Sequence, residues 1–174
     1  MNTLIIYSTV DGQTISICQR IAQRLVDAKH QVTVVDIKDV TQQQLIDAEQ
    51  IVMGASIRYG KHRPALYNFI ATNQALITSK LNSFFSVNVV ARKPEKNTPE
   101  TNPYIQKFLQ LSAWQPQLLA VFAGKIDYPK YGFFDKMMIR FIMWITKGPT
   151  DTSGTFEFTN WHKVDEFAKR LSEQ

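Results

Sequence analysis

Seven consecutive residues near the start of the chain, Ser8-Thr9-Val10-Asp11-Gly12-Gln13-Thr14, have the composition of an anion-binding loop. They offer hydroxyls, an amide and a glycine between an apolar run, Leu4–Tyr7, and a stretch with helical periodicity. A helix N-terminus placed there presents unpaired backbone N–H groups and the positive end of the helix dipole. The loop contains no lysine, and neither G-x-G-x-x-G nor G-x-x-x-x-G-K-S/T occurs anywhere, so the dinucleotide fingerprint and the triphosphate loop are both missing. Two readings remain: a site for a monophosphate held by neutral donors, or a helix start that is capped and binds nothing. The other reactive side chains are scattered. Cys18 is the single cysteine, which excludes a disulfide framework and a cysteine-cluster metal site, and His30, His62 and His162 lack metal-ligand spacing.

The elements that would position this loop alternate. Leu4–Tyr7, Gln31–Ile37, Gln50–Ala55, Phe84–Val90 and Leu118–Ala123 read as buried strands. Between them, helices are expected over Thr14–Ala28, with Ile15, Cys18, Ala22 and Leu25 on one face, then near Thr41–Ala48, from Pro64 to about Asn73, and over Pro99–Ser112. Asn160 is the expected cap of a last helix whose stripe is Val164, Phe167, Ala168 and Leu171. Five strands separated by helices predict an α/β fold, a doubly wound parallel sheet whose ligands bind beyond the carboxyl ends of the strands. Residues 125–154 exceed that minimal layout and are expected to be a helical insertion near the fifth strand. A chain of 174 residues suits one domain throughout.

Net charge is +5, but from Ile57 to Lys147 there are 13 Lys and Arg against 4 Asp and Glu, a local excess of +9. Such a surface suits nucleic acid, an anionic membrane or an acidic small molecule, or serves only to keep the protein soluble. No nucleic-acid recognition motif is present, and a nucleic-acid partner is not expected. The N-terminus has no basic region or cleavage site of a signal peptide, and no apolar run approaches the ~20 residues of a spanning helix; a cytoplasmic protein is expected.

Among monophosphates, FMN matches a hydroxyl-rich loop of this kind. Thr9-Val10-Asp11-Gly12-Gln13-Thr14 resembles the flavodoxin phosphate loop, with Asp11 where flavodoxins usually carry threonine. Because a carboxylate repels phosphate, Asp11 is expected to cap the helix with its side chain turned away. The strings Gly54-Ala55-Ser56-Ile57-Arg58-Tyr59-Gly60 and Ser86-Val87-Asn88-Val89-Val90-Ala91-Arg92-Lys93-Pro94-Glu95-Lys96, with Tyr128-Pro129-Lys130-Tyr131, are more specific. They resemble the quinone-dependent protoporphyrinogen IX dehydrogenases of bacterial haem synthesis, along essentially the whole chain.

The resemblance implies a flavodoxin-like sheet of order 2-1-3-4-5 and FMN as cofactor. Ser8, Thr9, Asp11, Gly12, Gln13 and Thr14 then form the phosphate loop. Ser56, Ile57, Tyr59 and Gly60 contact the ring or ribityl chain, with Tyr59 stacking, and Ser86, Asn88, Val89 and Val90 line the ring edge. The fourth-strand loop brings no aromatic, so one flavin face is left open to a flat substrate or is covered by Arg92 or the insertion. The implied reaction is the six-electron oxidation of protoporphyrinogen IX, with menaquinone or ubiquinone as acceptor. Arg58, Arg92 and Lys93 are the expected propionate ligands. A flavodoxin-type electron carrier or a general quinone reductase is the competing expectation.

Within the insertion, Phe134, Met138, Phe141, Ile142 and Ile145 fall on one helical face, widened by Phe133, Met137 and Trp144, with Lys136, Arg140 and Lys147 on another. Fifteen residues rise roughly 22 Å, short of the ~30 Å bilayer core. This helix is expected to lie on the inner membrane surface, where Met138, Phe141, Ile142 and Trp144 meet lipid and quinone.

Overall fold

The computed structural model describes residues 1–174. Strands β1 (Asn2–Ser8), β2 (Gln31–Asp36), β3 (Gln50–Ser56), β4 (Leu81–Val87) and β5 (Leu118–Phe122) form one parallel sheet in the order β2-β1-β3-β4-β5. The connecting helices are α1 (Gln13–Asp27), α2 (Gln42–Asp47), α3 (Pro64–Thr78) and α4 (Pro103–Leu111), and α6 (Trp161–Ser172) closes the chain. The order predicted from the resemblance is the one observed.

Alternation along the central strands divides the core in two. Leu4, Ile6, Ile51, Met53 and Phe84 face one side and pack with Leu66, Ile70, Ile105, Phe108 and Trp114. Ile5, Val52 and Phe85 face the other and pack with Ile17, Ile21, Leu25, Val164, Phe167 and Leu171. Both faces being covered explains why these strands read as continuous apolar runs. Gly54 is required by this packing: a Cβ there would stand 2.1 Å from Cζ of Phe85.

Several boundaries differ from the sequence reading. The inward stripe of α1 is Thr14, Ile17, Cys18, Ile21 and Leu25, with Ile15 and Ala22 at its margins. Helix α3 runs on past Asn73, whose amide bonds back to the Phe69 carbonyl at 2.9 Å while Ile77 adds a further buried turn. Strand β4 begins at Leu81, since buried Asn82 is satisfied by Nε1 of Trp114 at 3.0 Å, and it ends at Val87. Helix α4 starts at Pro103, after Asn102 accepts from the Tyr104 and Ile105 amides.

The extra segment contains more than a helix. Strand β6 (Lys125–Asp127) pairs antiparallel with β7 (Thr155–Glu157), and α5 (Phe133–Ile145) lies between them. Three-residue strands are too short to show a period-two pattern in sequence. No helix of the chain is long and apolar enough to cross a membrane.

Candidate active site

The first loop turns through Gly12, at φ 87°, into α1, whose N-terminus has no side-chain cap. Asp11 does not cap the helix as expected. Its carboxylate accepts from Nη1 of Arg58 at 2.7 Å, because a guanidinium within reach outcompetes a backbone amide for an ionised oxygen. Thr9 Oγ1 accepts the Gly12 amide at 3.3 Å. The Gln13 side chain also points elsewhere, donating to Thr159 Oγ1 at 2.9 Å and to Glu157 at 3.1 Å, which leaves the residue only its backbone for an anion.

The informative atoms are Ser8 Oγ and Thr14 Oγ1. Both are buried and neither has a hydrogen-bond partner. An orphaned buried hydroxyl costs about 1–3 kcal/mol. Two of them beside an uncapped helix N-terminus are donors of the kind an anion site offers.

The loop after β3 forms a tight turn. Arg58 and Lys61 exchange backbone hydrogen bonds of 3.0 and 3.2 Å across Tyr59 and Gly60, both at positive φ, 50° and 74°. This is the two-residue turn that matches strand twist. Glycine adopts it freely; for Tyr59 it costs about 1–3 kcal/mol, which the surroundings must offset. The Tyr59 hydroxyl donates to the Asp135 carboxylate, and the Arg58 guanidinium lies 5.1 Å from the ring centroid. Arg58 donates in addition to Asp135 at 2.5 Å. Burial opposes its charge, while the Tyr59 hydroxyl and the two carboxylates favour it, and its pKa lies above the ordinary value.

The loop after β4 is fixed from behind. Asn88 Oδ1 accepts the Ala91 amide at 3.1 Å and the Asn102 amide at 3.1 Å. Asn88 Nδ2 donates to Ser86 Oγ, which lies 3.0 Å from Nε2 of buried His62. His62 is packed among Tyr67, Phe84 and Phe108, and burial lowers its pKa to about 4, so it is neutral.

These loops and α5 enclose one pocket. Thr9, Asp11, Gln13, Thr14, Ser56, Ile57, Arg58, Tyr59, Gly60, Asn88, Val89 and Val90 line it, as do Met138 and Ile142 from the insertion. Other expected residues stand outside the lining. Gly12 shapes the turn, Ser8 lies buried behind the loop, and Ser86 supports Asn88 from the core. Arg92 is also absent: it donates to the carbonyls of Val89 and Thr146 and to Thr146 Oγ1, at 2.9–3.1 Å. A guanidinium so placed satisfies the carbonyl end of α5, and burial lowers its pKa. Lys93 sits half-buried between two 3-10 turns, away from the pocket. Phe141 and Trp144 point outward, 59% and 67% exposed.

The pocket also contains residues the sequence reading passed over. Tyr104, at the start of α4, and Tyr131 both line it, and burial raises the pKa of each phenol. Ile126, Ile139 and Met143 complete an apolar wall. The signal for Tyr104 was available, since it follows a cap at the carboxyl side of the sheet. Tyr131 lies in a string that carried only the family resemblance, with no role attached, and its place in the pocket, like that of Ile126, depends on the β6–β7 pairing.

Comparison with known proteins shows the family and the fold. A flavodoxin domain family model matches residues 4–153. A Leishmania major protein named protoporphyrinogen IX dehydrogenase (quinone) is 46% identical over 166 residues, covering 95% of this chain and 72% of the relative. An Escherichia coli protein of the same name is 41% identical over 172 residues, covering 99% and 95%. Among solved structures, flavodoxin 1 from Bacillus cereus superposes with a TM-score of 0.57 at 14% identity, covering 100% and 99%. A flavodoxin from the domain Archaea gives 0.54 at 16%, covering 99% and 97%. A flavin is the cofactor this family implies, and the orphaned hydroxyls, the uncapped helix and the aromatic-lined pocket fit one. The chain therefore belongs to the flavodoxin-domain family, within the group that includes the quinone-type protoporphyrinogen IX dehydrogenases.

Proposed function

We propose that this chain is an FMN-dependent oxidoreductase that converts protoporphyrinogen IX to protoporphyrin IX and passes the electrons to menaquinone or ubiquinone at the inner face of the cell membrane. The observation that carries this reading is the roof of the pocket. Helix α5 sets Met138, Ile139, Ile142 and Met143 against the strand-end loops, making an apolar wall opposite the polar phosphate end. A carrier that passes electrons between proteins needs only an exposed flavin edge; an apolar slot beside the ring suits a flat, greasy substrate.

Bound FMN supplies acceptance and release of electrons in pairs. The protein's part is placement. Thr14 and the first amides of α1 would hold the phosphate, with Ser8 buried behind the loop. Tyr59 on its strained turn and Asn88 to Val90 flank the ring. Arg58 stands at the mouth, where a propionate carboxylate can reach a guanidinium. The wall from α5 would give the ring an apolar neighbour.

The outer face of α5 supports a membrane role. Phe133, Phe134 and Trp144 are 72%, 83% and 67% exposed, and Lys136 and Arg140 lie on the same helix. An apolar face with basic neighbours suits an anionic bilayer surface, where quinone is dissolved.

The test is anaerobic turnover by the purified protein. Porphyrin fluorescence should rise beyond one porphyrin for every three flavins only when a quinone is supplied, and the extracted cofactor should be FMN. Extraction of FAD, or flavin reduction by protein donors alone with no porphyrin formed, would replace this reading with an electron carrier.

A further inference from the structure

Arg58 is shared by two carboxylates, one on each terminal nitrogen. Asp11 takes Nη1 at 2.7 Å and Asp135 takes Nη2 at 2.5 Å. The cluster thus carries one more negative charge than positive, at the mouth of a pocket proposed to admit a dianionic substrate. The two acids are not equally held. Asp11 belongs to the phosphate loop between β1 and α1. Asp135 belongs to the first turn of α5, whose neighbours Phe133 and Phe134 touch mainly each other and solvent. The other end of α5 is pinned: Met143 is buried, Arg92 bonds to Thr146, and the Tyr128 hydroxyl donates to the Pro149 carbonyl at 2.8 Å. Asp135, through Arg58 and Tyr59, is therefore the polar tie between the N-terminal half of α5 and the pocket rim.

We infer that Asp135 is an internal stand-in for a substrate carboxylate: it occupies Nη2 of Arg58 in the closed protein, and an incoming propionate takes its place, freeing the first turns of α5 to swing outward about their pinned end. This rests on the proposed porphyrinogen substrate and adds to it a specificity-determining residue. A propionate that accepts from both Arg58 Nη2 and the Tyr59 hydroxyl replaces the two hydrogen bonds of Asp135 by two of the same kind, so the exchange is nearly balanced for a carboxylate-bearing ligand. A neutral ligand would have to break the tie with nothing in return. Occupancy of the closed form lowers the apparent affinity for any ligand that must displace it.

The test is binding of protoporphyrin IX, a stable probe with the same two carboxylates, to the flavin-loaded protein, followed by the porphyrin absorbance shift. Its dimethyl ester is the neutral control. Asp135→Asn should tighten the diacid about tenfold, since the competing acid is removed and the closed form loses its tie. In an Arg58→Met background the same change should do little, because nothing is left to compete for. Arg58→Met alone should weaken the diacid and not the ester. Equal tightening in both backgrounds would show simple charge repulsion and overturn the exchange. No tightening, or weakening, would make Asp135 a structural tie and overturn it as well. If the wild-type protein binds neither porphyrin, the substrate assignment itself fails; binding without the Arg58-dependent tightening defeats this inference alone.

Discussion

Asn88 and Asn102 face each other with a reciprocal pair of amide hydrogen bonds, 3.3 Å in one direction and 3.1 Å in the other. Asn102 at the same time accepts the first amides of α4, and Asn88 accepts the Ala91 amide in the loop that flanks the flavin site. One buried pair thus couples a helix start to a wall of the pocket. Asn102→Ala removes a helix cap, worth about 1 kcal/mol, and the two amide hydrogen bonds with Asn88, at about 1 kcal/mol each, while Asn88 keeps Ala91 and Ser86 as partners. Urea unfolding should show a loss of about 2–4 kcal/mol. Flavin affinity should fall with it, although Asn102 is outside the pocket lining.

The orphaned hydroxyls make the opposite prediction. Ser8→Ala with Thr14→Val removes no hydrogen bond from the flavin-free protein, so its melting temperature should stay level or rise. Flavin affinity should drop by about 1–3 kcal/mol, carried by Thr14 in the pocket lining rather than by Ser8 behind it. Apo-protein stability and flavin titration, measured side by side, separate ligand-binding hydroxyls from structural ones.

The division between what could and could not be read in the sequence follows from the range of the interactions. The alternation of strands and helices was legible because continuous apolar runs and the stripe Val164, Phe167, Ala168 and Leu171 are local patterns, whereas the strand order came from the family resemblance. The turn from β1 into α1 was legible for the same reason. Arg58 and Arg92 look alike in sequence, each beside a ring-contact residue, yet one reaches the pocket rim and the other the end of α5. Their partners Asp11, Asp135 and Thr146 are 47, 77 and 54 residues away, and no local pattern encodes such pairings. The helical face of α5 was read correctly as apolar, but Met138 and Ile142 line the pocket while Phe141 and Trp144 point out; only the docked helix separates the two sets.

That separation allows the membrane role to be tested apart from the pocket. Phe141→Glu with Trp144→Glu alters the outer face without touching the pocket lining. The variant should keep its flavin and its turnover with a small soluble acceptor. It should leave anionic vesicles in a flotation assay, and turnover with vesicle-borne quinone should fall. Retained flotation would assign this face to another partner.

His62 gives a pH signature. Its folded pKa of about 4 lies below the ordinary 6.5. Between those values the unfolded chain binds a proton that the folded chain refuses, so stability rises with pH through that window. The contribution is fully present above pH 6.5 and is lost as pH falls towards 4, a change on the order of 3 kcal/mol. His62→Gln, which does not titrate, should flatten that part of the curve in urea unfolding at graded pH.

The central claim is that the pocket brings a porphyrinogen to a flavin. Its most direct test is an anaerobic titration of the flavin-loaded protein with protoporphyrinogen IX and no quinone present, followed at the flavin absorbance band. The account predicts bleaching with three flavins reduced for each porphyrin formed, and recovery of the band when quinone is added. Flavin that stays oxidised in the presence of excess porphyrinogen would contradict it.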